Sequence, residues 1–230
     1  MKLELKHRFY LKSKEEQVWI QVRVGLASFL LLLLVFLICW KTHFFLLFVL
    51  AIPITLSVVA SFFDVPGLKK SGHLIYYSTL FLSEKPKDGK ITVHGGTLFD
   101  YVFVIDRKLN GRKRMNLILQ QYLEGLDHMI DHLQMETMGN PTIRGTSYII
   151  NERSAKKLGF QVVETDFLQK CILVYNYFNL MLSYSMAKGK LSWPRLGETK
   201  TYEAKLSDLV LRRDFIQSMN GKLKQELYGK

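Results

Sequence analysis

Two long apolar runs lead the chain, Val24 to Trp40 and Phe44 to Phe63, separated only by Lys41, Thr42 and His43. Neither run holds a charged residue, and their 17 and 20 residues suit helices that cross a hydrocarbon layer roughly 30 Å thick at about 1.5 Å per residue. Phe29 to Ile38 reads FLLLLLVFLI, apolar on every face, whereas a helix packed on a soluble core keeps a polar stripe. The pattern predicts a two-helix transmembrane hairpin over 24–63. Pro53 removes a backbone donor and predicts a kink that Thr55 or Ser57 would help to satisfy. A cleaved signal peptide fits poorly, because the first run follows a 23-residue polar start and no small-residue cleavage site precedes the second run.

Beyond Asp64 the pattern changes to that of a folded domain. DVPGLKKSG (64–72) is a turn-rich exit. His73 to Leu82 and Lys90 to His94 have strand composition. Leu98 to Ile105 (LFDYVFVI) reads as a strand by composition, although Thr97 and Asp100 approximate a helix capping box. Arg112 to Gln134 is the clearest amphipathic helix, with Leu117, Ile118, Tyr122, Leu126, Met129, Ile130 and Leu133 on one face. Thr146 to Ile150 and Phe160 to Val163 read as strands flanking a short helix, Glu152 to Leu158, capped by Asn151 and ended by Gly159. Such crossovers usually join parallel strands. A long helix capped by Thr165 is expected from Asp166 to about Ala187, and a last one from Ser207 to near Asn220. Cys171 to Ala187 carries no charge and raises a third span as an alternative, but Asn176, Asn179 and three tyrosines favour a core or membrane-interface helix. The expected fold class is therefore a two-helix transmembrane hairpin followed by a cytoplasmic α/β or α+β domain over 64–230, with 1–23 as a basic N-terminal segment.

Charge adds an orientation. Lys2, Lys6, Arg8, Lys12, Lys14 and Arg23 precede the first run, only Lys41 lies in the turn, and Lys69 and Lys70 follow the second. Basic residues are retained on the cytoplasmic side, so both termini are expected there, in a bacterial inner membrane. The formal charge is +12. Seven of the 32 basic and three of the 20 acidic residues precede Asp64, which leaves +8 on the domain. Such a domain is drawn to an anionic leaflet. Expected partners are the bilayer, anionic headgroups or a phosphorylated ligand, and a second copy or another membrane protein. Nucleic acid is disfavoured, since no zinc-ligand spacing, RNA-binding signature or basic zipper accompanies the charge. Cys39 and Cys171 form no disulfide framework.

Candidate chemistry is sparse. Arg107, Lys108, Arg112, Lys113 and Arg114 place five cations across a turn and a helix start, where backbone donors also favour anions. His94, Gly95 and Gly96 resemble the His-Gly-Gly oxyanion loop of some α/β-hydrolase esterases, which would imply a serine nucleophile. Ser147, however, lacks the second glycine of a nucleophile elbow and no histidine follows it. His128 and His132 share a helix face with Glu124, Asp127 and Asp131, yet a solvated polar face explains the same residues, and no metal site is expected. Asn151 to Val163 resembles the end of the acetyl-CoA-binding region in GNAT-type acetyltransferases over 13 residues, without the preceding pyrophosphate loop. No Walker loop or dinucleotide fingerprint is present, and no cofactor is named. Two expectations result. One is a membrane-apposed binding or assembly module. The other is a membrane-bound transferase acting on a lipid or activated small molecule, with His94, Asp100, Arg112 and Arg114 near its site.

Overall fold

A computed structural model describes residues 5–136 and 139–229. Ser13 and Glu16 form a reciprocal capping box that starts α1, Lys14–Thr42. The helix ends at His43, whose φ of 57° reverses the chain, and α2 follows over Leu46–Lys70. Both helices are long and apolar enough to cross a membrane. Only 6% and 11% of their most apolar windows are buried, so they are not the core of the domain. They run antiparallel, with Phe36 against Phe48 at 5.4 Å between ring centroids and Gln21 beside Phe62. α2 continues through Pro53 and Pro66. Pro66 has no N–H to offer Phe62 O one turn back, and the Gln21 side-chain amide donates to that carbonyl at 3.0 Å. At Pro53 the expected compensation by Ser57 is not made, because its hydroxyl donates to Ile54 O rather than to the carbonyl of Val49.

The remaining chain forms a mixed α/β domain. Strands β1 (Leu74–Ser78), β2 (Phe81–Glu84), β3 (Lys90–Gly95), β4 (Thr142–Ser147), β5 (Gln161–Val163) and β6 (Lys200–Lys205) lie in the order β1-β2-β3-β4-β6-β5. Among the described residues only the β3–β4 pair is parallel. Its crossover carries α3 (Leu98–Val104) and α4 (Gly111–Met135). Strand alternation sends Tyr77 and Phe81 into a main core with Ile118, Leu126, Met129 and Ile130 of α4. Their neighbours Tyr76 and Leu82 enter a second core on the opposite face, with Phe9, Val65 and Phe99. Gly125 lets α4 approach β2, since a Cβ there would sit 2.5 Å from Phe81. α8 (Leu206–Leu211) and α9 (Arg213–Tyr228) complete the main core through Leu209 and Ile216.

Several sequence expectations are corrected. Leu98–Val104 is a helix, because its period divides Tyr101 and Ile105 from Phe99 and Phe103 between the two cores. His73–Leu82 is two strands folded back on each other. The strand expected at Thr146–Ile150 runs earlier, over Thr142–Ser147. β4 and β5 flank α5 (Glu152–Lys157) as expected, but they are not paired, since β6 lies between them and is antiparallel to both. The helix expected over 166–187 is α6 (Phe167–Tyr175) and α7 (Tyr177–Lys188), broken at Asn176 and capped by Asp166 rather than Thr165. The last helix starts at Leu206 and breaks at Arg212.

Candidate functional site

The end of the helix pair where α1 begins and α2 finishes is where the domain docks. Residues just before α1 are part of that junction. Phe9 is 1% exposed and packs on Phe99 and Phe103, while Arg8 donates to the carbonyls of Val102, Phe103 and Ile105. Its guanidinium thus occupies the C-terminal end of α3, where unpaired carbonyls favour a cation. Asp100 serves the other end of the same helix. Fully buried, it accepts the Thr97 N–H at 2.7 Å, the Thr97 hydroxyl at 2.8 Å and the Tyr76 phenol at 2.7 Å. His7 Nε2 stands 3.2 Å from the same carboxylate. Burial, reinforced by Asp100, pushes the Tyr76 phenol well above its ordinary range, and burial likewise raises Tyr10. Tyr76 therefore remains a donor. Lys69 lies 3.4 Å from the centroid of the Tyr10 ring, and burial holds its ammonium down against the opposing pull of Asp100. Saturated by these partners, Asp100 is a helix cap that joins the N-terminal segment to β1.

The basic cluster forms an exposed rim. Asn110 caps α4 by accepting the Lys113 N–H at 2.9 Å. The first turn holds no acidic residue, so Arg112 and Lys113 add to the positive end of the helix instead of offsetting it. Arg107, Lys108, Arg112 and Lys113 are exposed and make no ion pair among the described residues. Arg114 differs from them. Its guanidinium donates to Leu109 O at 2.7 Å, Met186 O at 2.9 Å and Arg107 O at 2.5 Å, so it clasps α7 to the start of α4. The backbones meet closely there, for a Cβ on Gly111 would lie 2.1 Å from Lys188 O. This approach brings exposed Lys188 and Lys190 beside the cluster, two cations that lie too far along the chain for spacing to connect them with it.

α7 also reaches the helix pair. Asn179 Nδ2 donates to Ser57 O at 3.1 Å, six residues inside the end of the second apolar run. α3, α7 and β1 all pack on α2, so the domain is held against the helix pair rather than strung from it.

The other candidates are used locally. His94 is half-exposed and lies 2.9 Å from Glu84, whose carboxyl it holds below the ordinary range. Asp100, by contrast, is buried and bonded to Thr97 and Tyr76. His128 Nδ1 meets Tyr77 O at 2.9 Å and His132 Nδ1 meets the Tyr77 hydroxyl at 3.1 Å. Asp127 and Asp131 bind Arg213. Among the described residues no three His, Cys, Asp or Glu side chains converge as metal ligands. Ser147 accepts the Ile149 and Ile150 N–H groups at 3.1 Å and closes a turn. Asn151 and Gly159 do cap α5 as expected, with φ of 99° at the glycine. A shallow groove of about 470 Å³ lined by Arg153, Lys156, Lys157, Arg212 and Phe215 escaped the sequence because α5 and the α8–α9 break meet only in space.

No protein-family model matches this chain, and comparison with curated proteins and with solved structures returns no match.

Proposed function

We propose that this chain is an integral membrane protein whose α1–α2 pair spans the bilayer as a hairpin, with both termini in the cytoplasm of a bacterial cell. Its basic domain works as a binding or assembly module seated on the inner leaflet. The observation that carries this reading is the Asn179-to-Ser57 contact, because it relates the level of the domain to that of the span. Ser57 lies about 9 Å inside the end of the apolar run at 1.5 Å per residue. Lys188 lies nine residues beyond Asn179, about 13 Å along α7, and so within about 5 Å of the level of Phe63 when both axes follow the membrane normal. The headgroup layer extends roughly 5 to 8 Å from the hydrocarbon. The rim of Arg107, Lys108, Arg112, Lys113, Lys188 and Lys190 thus belongs at headgroup depth, where each well-placed cation contributes on the order of 1 kcal/mol.

Native mass spectrometry of the full chain released from mild detergent with mixed lipids tests the rim. Wild type should retain anionic phospholipid in preference to zwitterionic, and the double variant Arg112→Glu, Lys113→Glu should lose that preference while keeping its fold. Equal retention of both lipid classes by wild type would remove headgroup binding from the proposal.

A further inference from the structure

α6 is amphipathic in an unusual sense, because its apolar side is the exposed one. Phe167 is 81% exposed and Leu168 70%, and Cys171, Ile172, Val174 and Tyr175 are exposed as well. At 100° per residue these six positions fill one continuous arc of about 160°. Gln169 and Lys170 fall outside it. A patch of this kind marks a surface that something apolar covers.

What lies at the two ends of the segment identifies the cover. At its start, Asp166 caps α6 by accepting the Gln169 N–H and pairs with Arg144 at 3.3 Å, an ionic anchor on the water side. Past its end, Asn179 is bonded to Ser57, inside the apolar run of α2. Nine residues of α6 span about 13 Å, far short of the roughly 30 Å of a hydrocarbon core. The segment then breaks at Asn176, and α7 leads back to Ala187, which is fully buried in the domain. The side-chain amide donors at the turning point have acceptors. The Asn176 amide donates to Ile172 O at 3.0 Å and the Asn179 amide to Ser57 O. Donors bonded within the protein are what non-spanning polypeptide needs at membrane depth.

From this geometry we infer that α6 is a lipid-embedded wedge, entering the cytoplasmic leaflet beside α2 and returning through α7, with its apolar arc facing acyl chains. The assignment rests on the membrane-spanning role of α1 and α2. It adds a third contact with the bilayer that fixes the tilt and height of the domain. α7 packs on both α6 and α2, α2 exposes its own apolar flank through Val49, Leu56 and Phe63, and lipid is the one occupant that suits both surfaces.

Site-directed spin labelling of the full chain in nanodiscs separates the outcomes. With Cys39→Ser, the native Cys171 takes the label. A reference label at Leu34→Cys, in a background with both native cysteines replaced by serine, reports on the middle of α1. A third at Lys190→Cys reports on the rim. The wedge requires the label at residue 171 to collide more often with dissolved oxygen than with a water-soluble nickel complex, as at residue 34, and the label at 190 to show the reverse. Water accessibility at 171 with lipid accessibility at 34 would overturn the wedge and leave the hairpin standing. Water accessibility at both positions would remove the hairpin as well. An immobilised label at 171 that meets neither agent would show a protein surface, a second copy or another chain, in place of lipid, and would also overturn it.

Discussion

At the scale of single residues, the informative groups are those whose partners lie far along the chain. Thr97 and Asp100 are three residues apart, so their capping box is legible locally. The Tyr76 phenol and the His7 ring that complete the environment of Asp100 are not. The same holds for Glu152. Its bond to Lys156, one turn on at 2.8 Å, is a local pattern, while that to Lys200 at 2.7 Å exists only because β6 lies beside α5. Lys156 first, and then Lys200, hold the Glu152 carboxyl down to about 2 from an ordinary 4.5. A depressed carboxyl supports the folded state above its unfolded value, and that support fades as pH falls from about 4.5 toward 2. Carboxyl-carbon NMR of the full chain should show Glu152 titrating near the lower limit, and Lys200→Met or Lys156→Met should move its midpoint up. A wild-type midpoint close to 4.5 would mean that the two lysines do not bind it in solution.

At the scale of elements, the ends of α5 were easier to read than the type of the segment Leu98–Val104. Asn151 and Gly159 stand where capping chemistry places them, because a cap involves residues only two or three apart. Leu98 to Val104 misled because branched and aromatic residues suit a strand. The decision came from two cores that needed filling from one short segment. The apolar pair carries a similar lesson. Its helices were legible, whereas the Gln21-to-Phe62 bond that offsets Pro66 depends on how α1 and α2 pair. Gln21→Ala leaves that carbonyl without a donor. Thermal unfolding in detergent should show a loss of about 1 kcal/mol, the usual worth of one such bond. Combining it with Pro66→Ala, which restores the backbone donor, should recover most of that loss. No change on Gln21→Ala would show that water already serves Phe62 O.

At the scale of the whole molecule, the apolar pair and the domain share a core. Phe9, from before α1, and Val65, from the end of α2, close the second core over Tyr76, Leu82 and Phe99. A fragment of residues 71–230 would open that face. Leu82 and Phe99, 1% and 0% exposed in the full chain, would meet water, each at a cost of about 1.5 to 3 kcal/mol. Such a fragment should aggregate or unfold on size-exclusion chromatography and circular dichroism, while the full chain in detergent stays monodisperse and cooperative. A monomeric, cooperatively folding fragment would show that the second core is dispensable and that the domain needs no seat on α2.

The sequence by itself determined the two apolar helices, a short turn between them near His43, the amphipathic α4 and the caps of α5. Each depends on residues within a turn or two, or on hydrophobicity summed along one segment. Tertiary structure alone decided the insertion of β6 between β4 and β5, the break at Asn176, the docking of His7 and Phe9, and the meeting of Gly111 with Lys188. It likewise gathered the rim from two distant stretches and seated α7 beside Ser57. These features arise where distant segments compete for the same buried space and the same hydrogen-bond partners, and no local pattern along the chain records which pair of segments will meet.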